Sequence, residues 1–489
     1  MYATPITALE DIASEPPPEF QDTPLLNLKP KQVDGILDRL SQFWQYFAYL
    51  FQRREQSEWG VKYISGHFME GEKYFTSTIA HSVGEENERA MQNFIGASPW
   101  DDQALIIEHQ SVSQETIGHP EGCIIMDGSG FPRKGTESAG IGRQYCNATG
   151  KIDNCQVGVY LAYATPKGYT LLDRRLHLPG EWFSPEYAIR RKNCGIPEET
   201  NFHNHQEWAL EMLHGVHQRG KVTFQWVLGD EEFGRDTWLL DQIDDMGKED
   251  GIHYFYFMQI PANTRVWLER PETEVPTWKG RGRPTTRRKL VEGEPVPQQV
   301  DAISLQPEQY VRYTLHEGSK GPLVADVAFI RVVAVRNALP GPEVCLVIRH
   351  DVISGERRYY LSNAPEGTPQ PKLAWLSAAR WPVERSIEDC KDELRMNQYS
   401  MRSWHGWYHH MTLVMIAHLF LVTLQQEFRE QAPALTVSQA RMLLKAVLPR
   451  PVFDVTAALK ALRKIQICNH RAYLSNRRRT LRKLKMIDT

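Results

Sequence analysis

Two short apolar runs each break off at an aspartate, and they limit what this chain can fold into more than any other feature. Cys123-Ile124-Ile125-Met126, bounded by Gly122 and Gly128, ends at Asp127, and Trp226-Val227-Leu228-Gly229, closing a strand over 222–228, ends at Asp230. Runs of this length without a polar interruption read as strands buried on both faces. Two further strands, 156–164 and 169–177, are joined by the turn Pro166-Lys167-Gly168. A helix over 206–217 leads to the second run, and another over 237–246 precedes an aromatic strand at 253–259. Three strands followed by alternating helix and strand predict a mixed sheet with helices packed on it.

Helical spacing dominates before and after this block. Val33, Ile36, Leu37 and Leu40, then Phe43, Tyr46, Phe47 and Phe51, recur at three- and four-residue steps, which lays one face of a helix against a core. Further helices are expected near 59–67 and 73–82, and helices return from 382 to about 464. Residues 261–365 differ from both. They are proline-rich at first, with Trp267 and Trp278 and the basic stretches Lys279-Gly280-Arg281-Gly282-Arg283 and Arg287-Arg288-Lys289. Strand-like alternation follows at 310–314, 324–335, 343–349 and 357–361. This block reads as a β-rich insertion carrying a basic, aromatic-bearing loop. At 489 residues the chain exceeds what one hydrophobic core usually supports, so a multidomain α+β protein is expected.

A net charge of -3 argues against a nucleic-acid partner only as an average, because the sign is unevenly distributed. The first thirty residues are proline-rich and acidic (Glu15-Pro16-Pro17-Pro18-Glu19) and read as a disordered leader. The other end carries Arg477-Arg478-Arg479 and Arg482-Lys483-Leu484-Lys485. Such a tail is most often a solvated face; beside a nuclease it becomes a phosphate contact. The seven cysteines are odd in number and form no Cys-x-x-Cys pair, which disfavours a disulfide framework or a structural zinc. No charged-then-apolar segment opens the chain. The longest apolar stretch, 413–424, is interrupted by His418 and is shorter than a bilayer requires. A cytoplasmic location is expected.

An aspartate after a strand is usually a turn or helix-capping residue. If the two strands are neighbours, however, both carboxylates project at one sheet edge, where hard oxygen donors suit magnesium or manganese. A third acid lies in Arg380-Trp381-Pro382-Val383-Glu384-Arg385-Ser386-Ile387-Glu388-Asp389-Cys390-Lys391. Pro382 suits a first helical turn. At 100° per residue Val383, Ile387, Cys390 and Leu394 share one face, while Glu384, Glu388, Lys391 and Arg395 share another. An ordinary surface helix with i,i+4 charges fits that pattern equally well. His203, His205, His405, His409 and His410 invite a zinc reading, but no glutamate stands where a zinc hydrolase requires one. Gly280-x-Gly282 lacks the strand–helix context of a dinucleotide site.

Asp127-Gly-Ser-Gly-Phe-Pro-Arg-Lys-Gly135, then Gly142-Arg143-Gln144-Tyr145-Cys146, then Gly150-Lys151-Ile152-Asp153-Asn154-Cys155-Gln156-Val157-Gly158 resemble the opening of the catalytic domain in insertion sequence 701 family transposases. Arg380-x3-Glu384-x6-Lys391 resembles the signature helix of the wider insertion sequence 4 superfamily. Ser403-Trp404-His405-Gly406-Trp407-Tyr408-His409-His410 and the earlier Ser98-Pro99-Trp100 are similar to segments of the first family. The similarity runs in order from about residue 35 to 430. It implies a ribonuclease-H-like mixed α/β core interrupted by a β-strand insertion, preceded by an all-helical N-terminal domain and followed by helices. The division expected is a leader over 1–30, a helical DNA-binding domain over 31–117 and a first core part over 118–260. The insertion then covers 261–365, the second core part 366–430, and a basic helical region 431–489. In two places the chain departs from the pattern. Ser377 stands where the superfamily has a tyrosine, and Glu231-Glu232 adds negative charge after the second aspartate.

The resemblance implies a DDE transposase that cuts and pastes an insertion sequence by nicking DNA and transferring strands. Asp127, Asp230 and Glu384 would be the catalytic carboxylates, holding two Mg2+ (or Mn2+) ions with Asp127 as the bridging ligand. Arg380 and Lys391 would meet phosphates near the transposon end, a task their charge permits. Arg143, Lys279, Arg281, Arg283, Arg287 and Arg288 are expected on DNA backbone. Relatives excise through a hairpin, aided by an extruded base stacked on a tryptophan, a role open to Trp267, Trp278 or Trp381. The partners implied are double-stranded DNA, as transposon ends and target, and a second copy of the chain in the synaptic complex. The setting implied is cytoplasmic, bacterial and nucleoid-associated. Two alternatives remain open: a domesticated, non-catalytic DNA-binding protein, and a ribonuclease-H-like structure-specific nuclease that never joins strands.

Overall fold

The computed structural model describes residues 2–6, 25–69, 76–85, 87–277, 286–318, 321–449 and 455–487. The chain opens with a two-residue strand, β1 (Thr4–Pro5), inside the stretch expected to be a disordered leader. It pairs antiparallel through Thr4↔Thr314 and Pro5↔Tyr313, and Ala3 beside it is buried. Six helices follow: α1 (Pro30–Asp34), α2 (Ile36–Ala48), α3 (Arg54–Phe68), α4 (Thr76–Ser82), α5 (Glu88–Gly96) and α6 (Asp102–Ile117). The apolar stripe read from the sequence is what α2 buries: Ile36, Leu40, Phe43 and Phe47 are in the core. Asp101 starts α6 by accepting hydrogen bonds from the backbone N–H groups of Gln103 and Ala104, which satisfies two of the donors a helix start leaves free.

The sheet begins with β2 (Cys123–Pro132), β3 (Gly142–Cys146), β4 (Lys151–Thr165) and β5 (Gly168–His177). Two helices, α7 (Ala188–Cys194) and α8 (His205–Arg219), lead to β6 (Trp226–Gly229). Then come α9 (Glu231–Gly234), α10 (Thr237–Asp245) and β7 (Phe255–Ile260). β2, β6 and β7 are mutually parallel neighbours, and β4 lies antiparallel between β2 and β5. The order β5-β4-β2-β6-β7, with β4 alone reversed, is the ribonuclease-H-like arrangement. The structure thus has the expected mixed α/β core, flanked by helical regions at both ends of the chain. Cys123 to Met126 and Trp226 to Gly229 are fully buried, which explains why their sequences do not alternate.

The next block extends this sheet rather than standing apart from it. It comprises β8 (Arg265–Trp267), β9 (Thr273–Glu274), β10 (Lys289–Leu290), β11 (Gln298–Gln299), β12 (Val311–Gly318), β13 (Gly321–Arg336), β14 (Leu339–Asp351) and β15 (Arg357–Ser362). β12 to β15 form an antiparallel run, and β15 pairs with β7 through Tyr359↔Ile260 to Ser362↔Phe257.

After α11 (Gln370–Leu376) and α12 (Trp381–Asp392) comes α13 (Trp404–Glu427), then α14 (Val437–Val447) and α15 (Val455–Ile487). α13 packs on β5, α3, α5, α6 and α14. By length and composition it could cross a membrane, but 94% of its apolar window is buried inside the protein. The apolar run 413–424 is therefore only part of a longer helix, and the scarcity of polar residues in it reflects contact with core on all sides.

Candidate active site

The last paired residues of β2 and β6 are Ile125 and Leu228, whereas β2 and β4 stay paired to Pro132↔Cys155. Asp127 therefore does not end its strand, as the sequence suggested. It sits mid-strand, two residues past the point where the parallel neighbour stops, so its carboxylate lies at an edge that β6 no longer covers. Asn147, on the turn after β3, substitutes for that missing neighbour. Its amide donates to the Gly128 carbonyl (2.7 Å), and its carbonyl accepts from the Gly130 N–H (2.7 Å). A Cβ on Gly130 would come within 2.6 Å of Cys146 Sγ, so only glycine permits this turn to lie so close.

Asp230 does follow the end of β6, and it also caps a helix: its carboxylate accepts from the Glu232 N–H at 2.9 Å. The α9 turn it opens is pressed against β7. A Cβ on Gly234 would lie 1.9 Å from the Gln259 carbonyl oxygen, and Phe233 beside it is fully buried. Phe233-Gly234 thus fixes the turn that carries Asp230. The two extra acids have separate partners. Glu231 accepts from Gln259 (3.1 Å), and Glu232 lies 2.6 Å from His205 Nδ1. Burial pushes the Glu232 carboxyl up, but the hydrogen bond and charge of His205 bring it to a net value below the usual range. This His205–Glu232 pair was not legible as a pair, since 27 residues and a helix separate its members.

Glu384 lies in the first turn of α12, whose buried face is Val383, Ile387 and Cys390, with Leu394 buried just beyond. Arg380, immediately before the helix, places its guanidinium between two acids. Nη1 is 3.4 Å from Asp127 Oδ2, and Nη2 donates to Glu384. Burial pushes the Asp127 carboxyl up to about 7; Arg380 pulls against the rise, and Asp230 and Glu384 add to it. Burial likewise raises Asp230, again opposed by Arg380. Asp127, Asp230, Glu231, Glu232, His205 and Arg380 line one cleft of about 820 Å³. Glu384 reaches it through Arg380. Among the described residues no three carboxylate, imidazole or thiol groups are gathered closely enough to hold an ion as they stand.

The other expected contacts divide. Lys391 faces the site but is partly buried: its ammonium donates to Ser129 Oγ at 2.7 Å and lies 5.1 Å from the Phe131 ring. Arg143 is exposed on β3, the outermost strand at that end of the sheet. Arg287 is exposed, and Arg288 donates to the Thr273 hydroxyl and carbonyl across the β9–β10 hairpin. Trp278, Lys279, Arg281 and Arg283 lie outside the described residues. Trp267 corrects the expectation of a base-stacking role. It is buried on β8 against β13, with its indole N–H donating to the Pro295 carbonyl, so its apolar ring fills the core. Trp381 is 47% exposed, its ring edge against Tyr169. Ser377 is buried, and its carbonyl accepts from Arg349 and Tyr360; that position is a structural anchor. His409 and His410 contact the carbonyls of Ile95, Trp100 and Met396, tying α13 to its neighbours.

The sequence profile of a family described as "DDE superfamily endonuclease" matches residues 46–322, more than half of the chain. The probable transposase for insertion sequence element IS701 from Microchaete diplosiphon is 27% identical over 134 residues, or 27% of this chain. That match spans 35% of the relative's own length. A cryo-EM structure of the piggyBac transposase synaptic complex with hairpin DNA aligns over 87% of this chain and 86% of its own, at 11% identity and a TM-score of 0.36.

Proposed function

The chain belongs to the DDE superfamily endonucleases, and we propose that it is a transposase that cuts and rejoins DNA with Asp127, Asp230 and Glu384 as its catalytic carboxylates. The observation that carries this reading is the charge balance at Asp127. A carboxylate only 15% exposed is faced by two more acids, with Arg380 as the cation against it. Concentrated carboxylate charge of this kind favours a bound divalent cation, and an all-oxygen donor set suits magnesium or manganese. Asp127, Asp230 and Glu384 would hold two such ions. Bound there, they would activate the attacking water or 3′-hydroxyl and stabilise charge on the leaving oxygen.

The chain's own residues supply the rest. Gly128 N–H fixes the Asp127 carboxylate by donating to Oδ1 at 2.8 Å. Capping of α9 orients Asp230. Arg380 neutralises Asp127 and Glu384 in the free chain; a DNA phosphate offers its guanidinium an alternative anion, and the exchange releases both carboxylates for cations. Lys391, braced by Ser129, adds positive charge near Asp127. Exposed Arg143 and Arg287 would contact DNA backbone, and the exposed Trp381 would be available to an unstacked base. The proposed partners are transposon ends, target DNA and a second copy of the chain, in a bacterial, cytoplasmic setting.

Cleavage of a supercoiled plasmid bearing the element's ends, with manganese, tests this. The wild type should nick and join strands, and Asp127→Ala should lower the rate roughly a thousandfold or more, as removal of a member of a cooperating catalytic set does. An inactive wild type would favour a non-catalytic DNA-binding protein. Nicking without joined products would favour a structure-specific nuclease.

A further inference from the structure

The long C-terminal helix is absent from the catalytic reading, and its charge is unlike the rest of the molecule. α15 spans 33 residues, about 50 Å at 1.5 Å per residue. Residues 455–487 hold ten Lys and Arg and no Asp or Glu, leaving the other 456 residues at -13 (47 basic against 60 acidic). The near-neutral whole is thus the sum of an acidic body and a strongly basic rod. Its described side chains are exposed, among them Arg463, Arg471, Arg477 and Arg478.

The helix has a direction as well as a charge. At 100° per residue Arg463, Arg471 and Arg478 fall within a sector of about 80° and Arg477 lies about 40° outside it, while Val455, Leu462 and Tyr473 gather about 130° from the middle of that sector. A row of arginines along one side of a straight rod matches a row of phosphates. About 50 Å of helix runs beside roughly fifteen base pairs of duplex, at 3.4 Å of rise per pair along each strand. A second copy of α15 fits poorly, because pairing would bring twenty positive charges together with no acid to compensate. A lipid surface fits poorly as well. In the last half of the helix Arg477 falls in the sector of Leu459, and Leu474 and Leu481 fall among the arginines, so no continuous apolar face remains to enter an interface.

We propose that α15 is a sequence-independent DNA-binding arm that lies along duplex backbone through Arg463, Arg471, Arg477 and Arg478. The proposal rests on the reading of the chain as a DNA-processing enzyme but not on its catalysis. The acidic body repels DNA while the arm attracts it, so the arm governs how the substrate is first captured.

The test uses the full chain, in EDTA, binding a 30-base-pair duplex of arbitrary sequence by fluorescence anisotropy between 50 and 200 mM KCl. Wild type and the quadruple variant Arg463→Gln/Arg471→Gln/Arg477→Gln/Arg478→Gln are compared. Each phosphate contact contributes about 0.9 to the slope of log K against log salt, so the quadruple variant should show a slope shallower by about 3 to 4. At 100 mM salt it should bind at least tenfold more weakly. An unchanged slope and affinity in the quadruple variant would overturn the proposal. So would loss of binding to phosphatidylglycerol vesicles with duplex binding intact, or loss of a dimer in light scattering with duplex binding intact. A wild type that never cuts DNA, yet loses its salt slope on the four substitutions, would sink the catalytic reading and leave the arm standing. One that cuts normally and keeps its slope without them would do the reverse.

Discussion

Arg380 is the residue on which the site turns, because it contacts two carboxylates assigned to cations. Removing it takes away the one cation that contacts both acids and makes a divalent ion the best available partner. Arg380→Gln should therefore bind Mn2+ in the absence of DNA about tenfold more tightly than the wild type by titration calorimetry, about 1.4 kcal/mol, while binding transposon-end DNA less well. Equal Mn2+ affinity would show that the guanidinium does not compete. Asp127 gives a second test, run without divalent ions. Its folded carboxyl keeps its proton up to about 7, against 3.8 in the unfolded chain, so stability falls as pH rises through that window. Asp127→Asn escapes this cost, which is of order a few kcal/mol by the 1.36 kcal/mol-per-unit relation. Urea denaturation should find the variant's advantage larger at pH 8 than at pH 5.5. At this scale the sequence showed which acids and which arginine to consider. It did not show that Arg380 already holds two of the acids, because that needs β2 and α12 brought together. Nor did Ser377 announce its buried carbonyl: a serine in an expected tyrosine position looks like a lost contact until its backbone is seen anchoring Arg349 and Tyr360.

Among the elements, the short α9 turn and the uncovered edge of β2 set the geometry. Gly234→Ala would drive a methyl into the Gln259 carbonyl, so α9 must shift and carry Asp230 with it. Plasmid cleavage should drop at least tenfold, with a lowered melting temperature, since overpacking costs typically 1–3 kcal/mol. Asn147→Ala is gentler. It leaves the Gly128 carbonyl and Gly130 N–H without their partner, a loss of about 1–3 kcal/mol, and the expected sign is faster amide exchange at Gly130 than at Ile125. The strands themselves were readable because unbroken apolar runs are what doubly covered strands require. The extent of β2 was not, since Gly128-Ser129-Gly130 reads as a turn and is kept in the sheet only by β4 and Asn147. The polar face of α12 was also readable, though not where it pointed. Lys391 shares the Glu384 face and reaches Ser129 on β2, while Glu384 and Glu388 on that face stay exposed.

Over the whole molecule, buried histidines mark the seam between the N-terminal helices and the core. Burial lowers His67 and His409 to about 4 and His109 to about 3, and these residues contact the carbonyls of Leu394, Ile95, Trp100 and Met415. The unfolded chain takes up their protons from pH 6.5 downward while the folded chain refuses them until about pH 4. Stability is therefore intact above 6.5 and lost progressively as pH falls toward 4. Hydrogen exchange at pH 5 should show α3, α5 and α6 losing protection ahead of β2 and β4; uniform loss would mean the seam is not the weak point. Of these, His409 invited a metal reading in the sequence, beside His405 and His410, because that spacing is visible there and its carbonyl partners, hundreds of residues away, are not. The β-rich block was legible as a departure in pattern, but its attachment was not: it reads as a separate unit and is in fact a continuation of the core sheet. That attachment has a consequence for how such a chain can change. The path leaves the core at Ile260 and comes back as β15, stitched to the very strand it left. Departure and return are adjacent threads of one weave, so whatever is added or trimmed between them hangs from a closed seam. The 154 positions that separate Asp230 from Glu384 along the chain can then vary in number without moving the two acids apart in space.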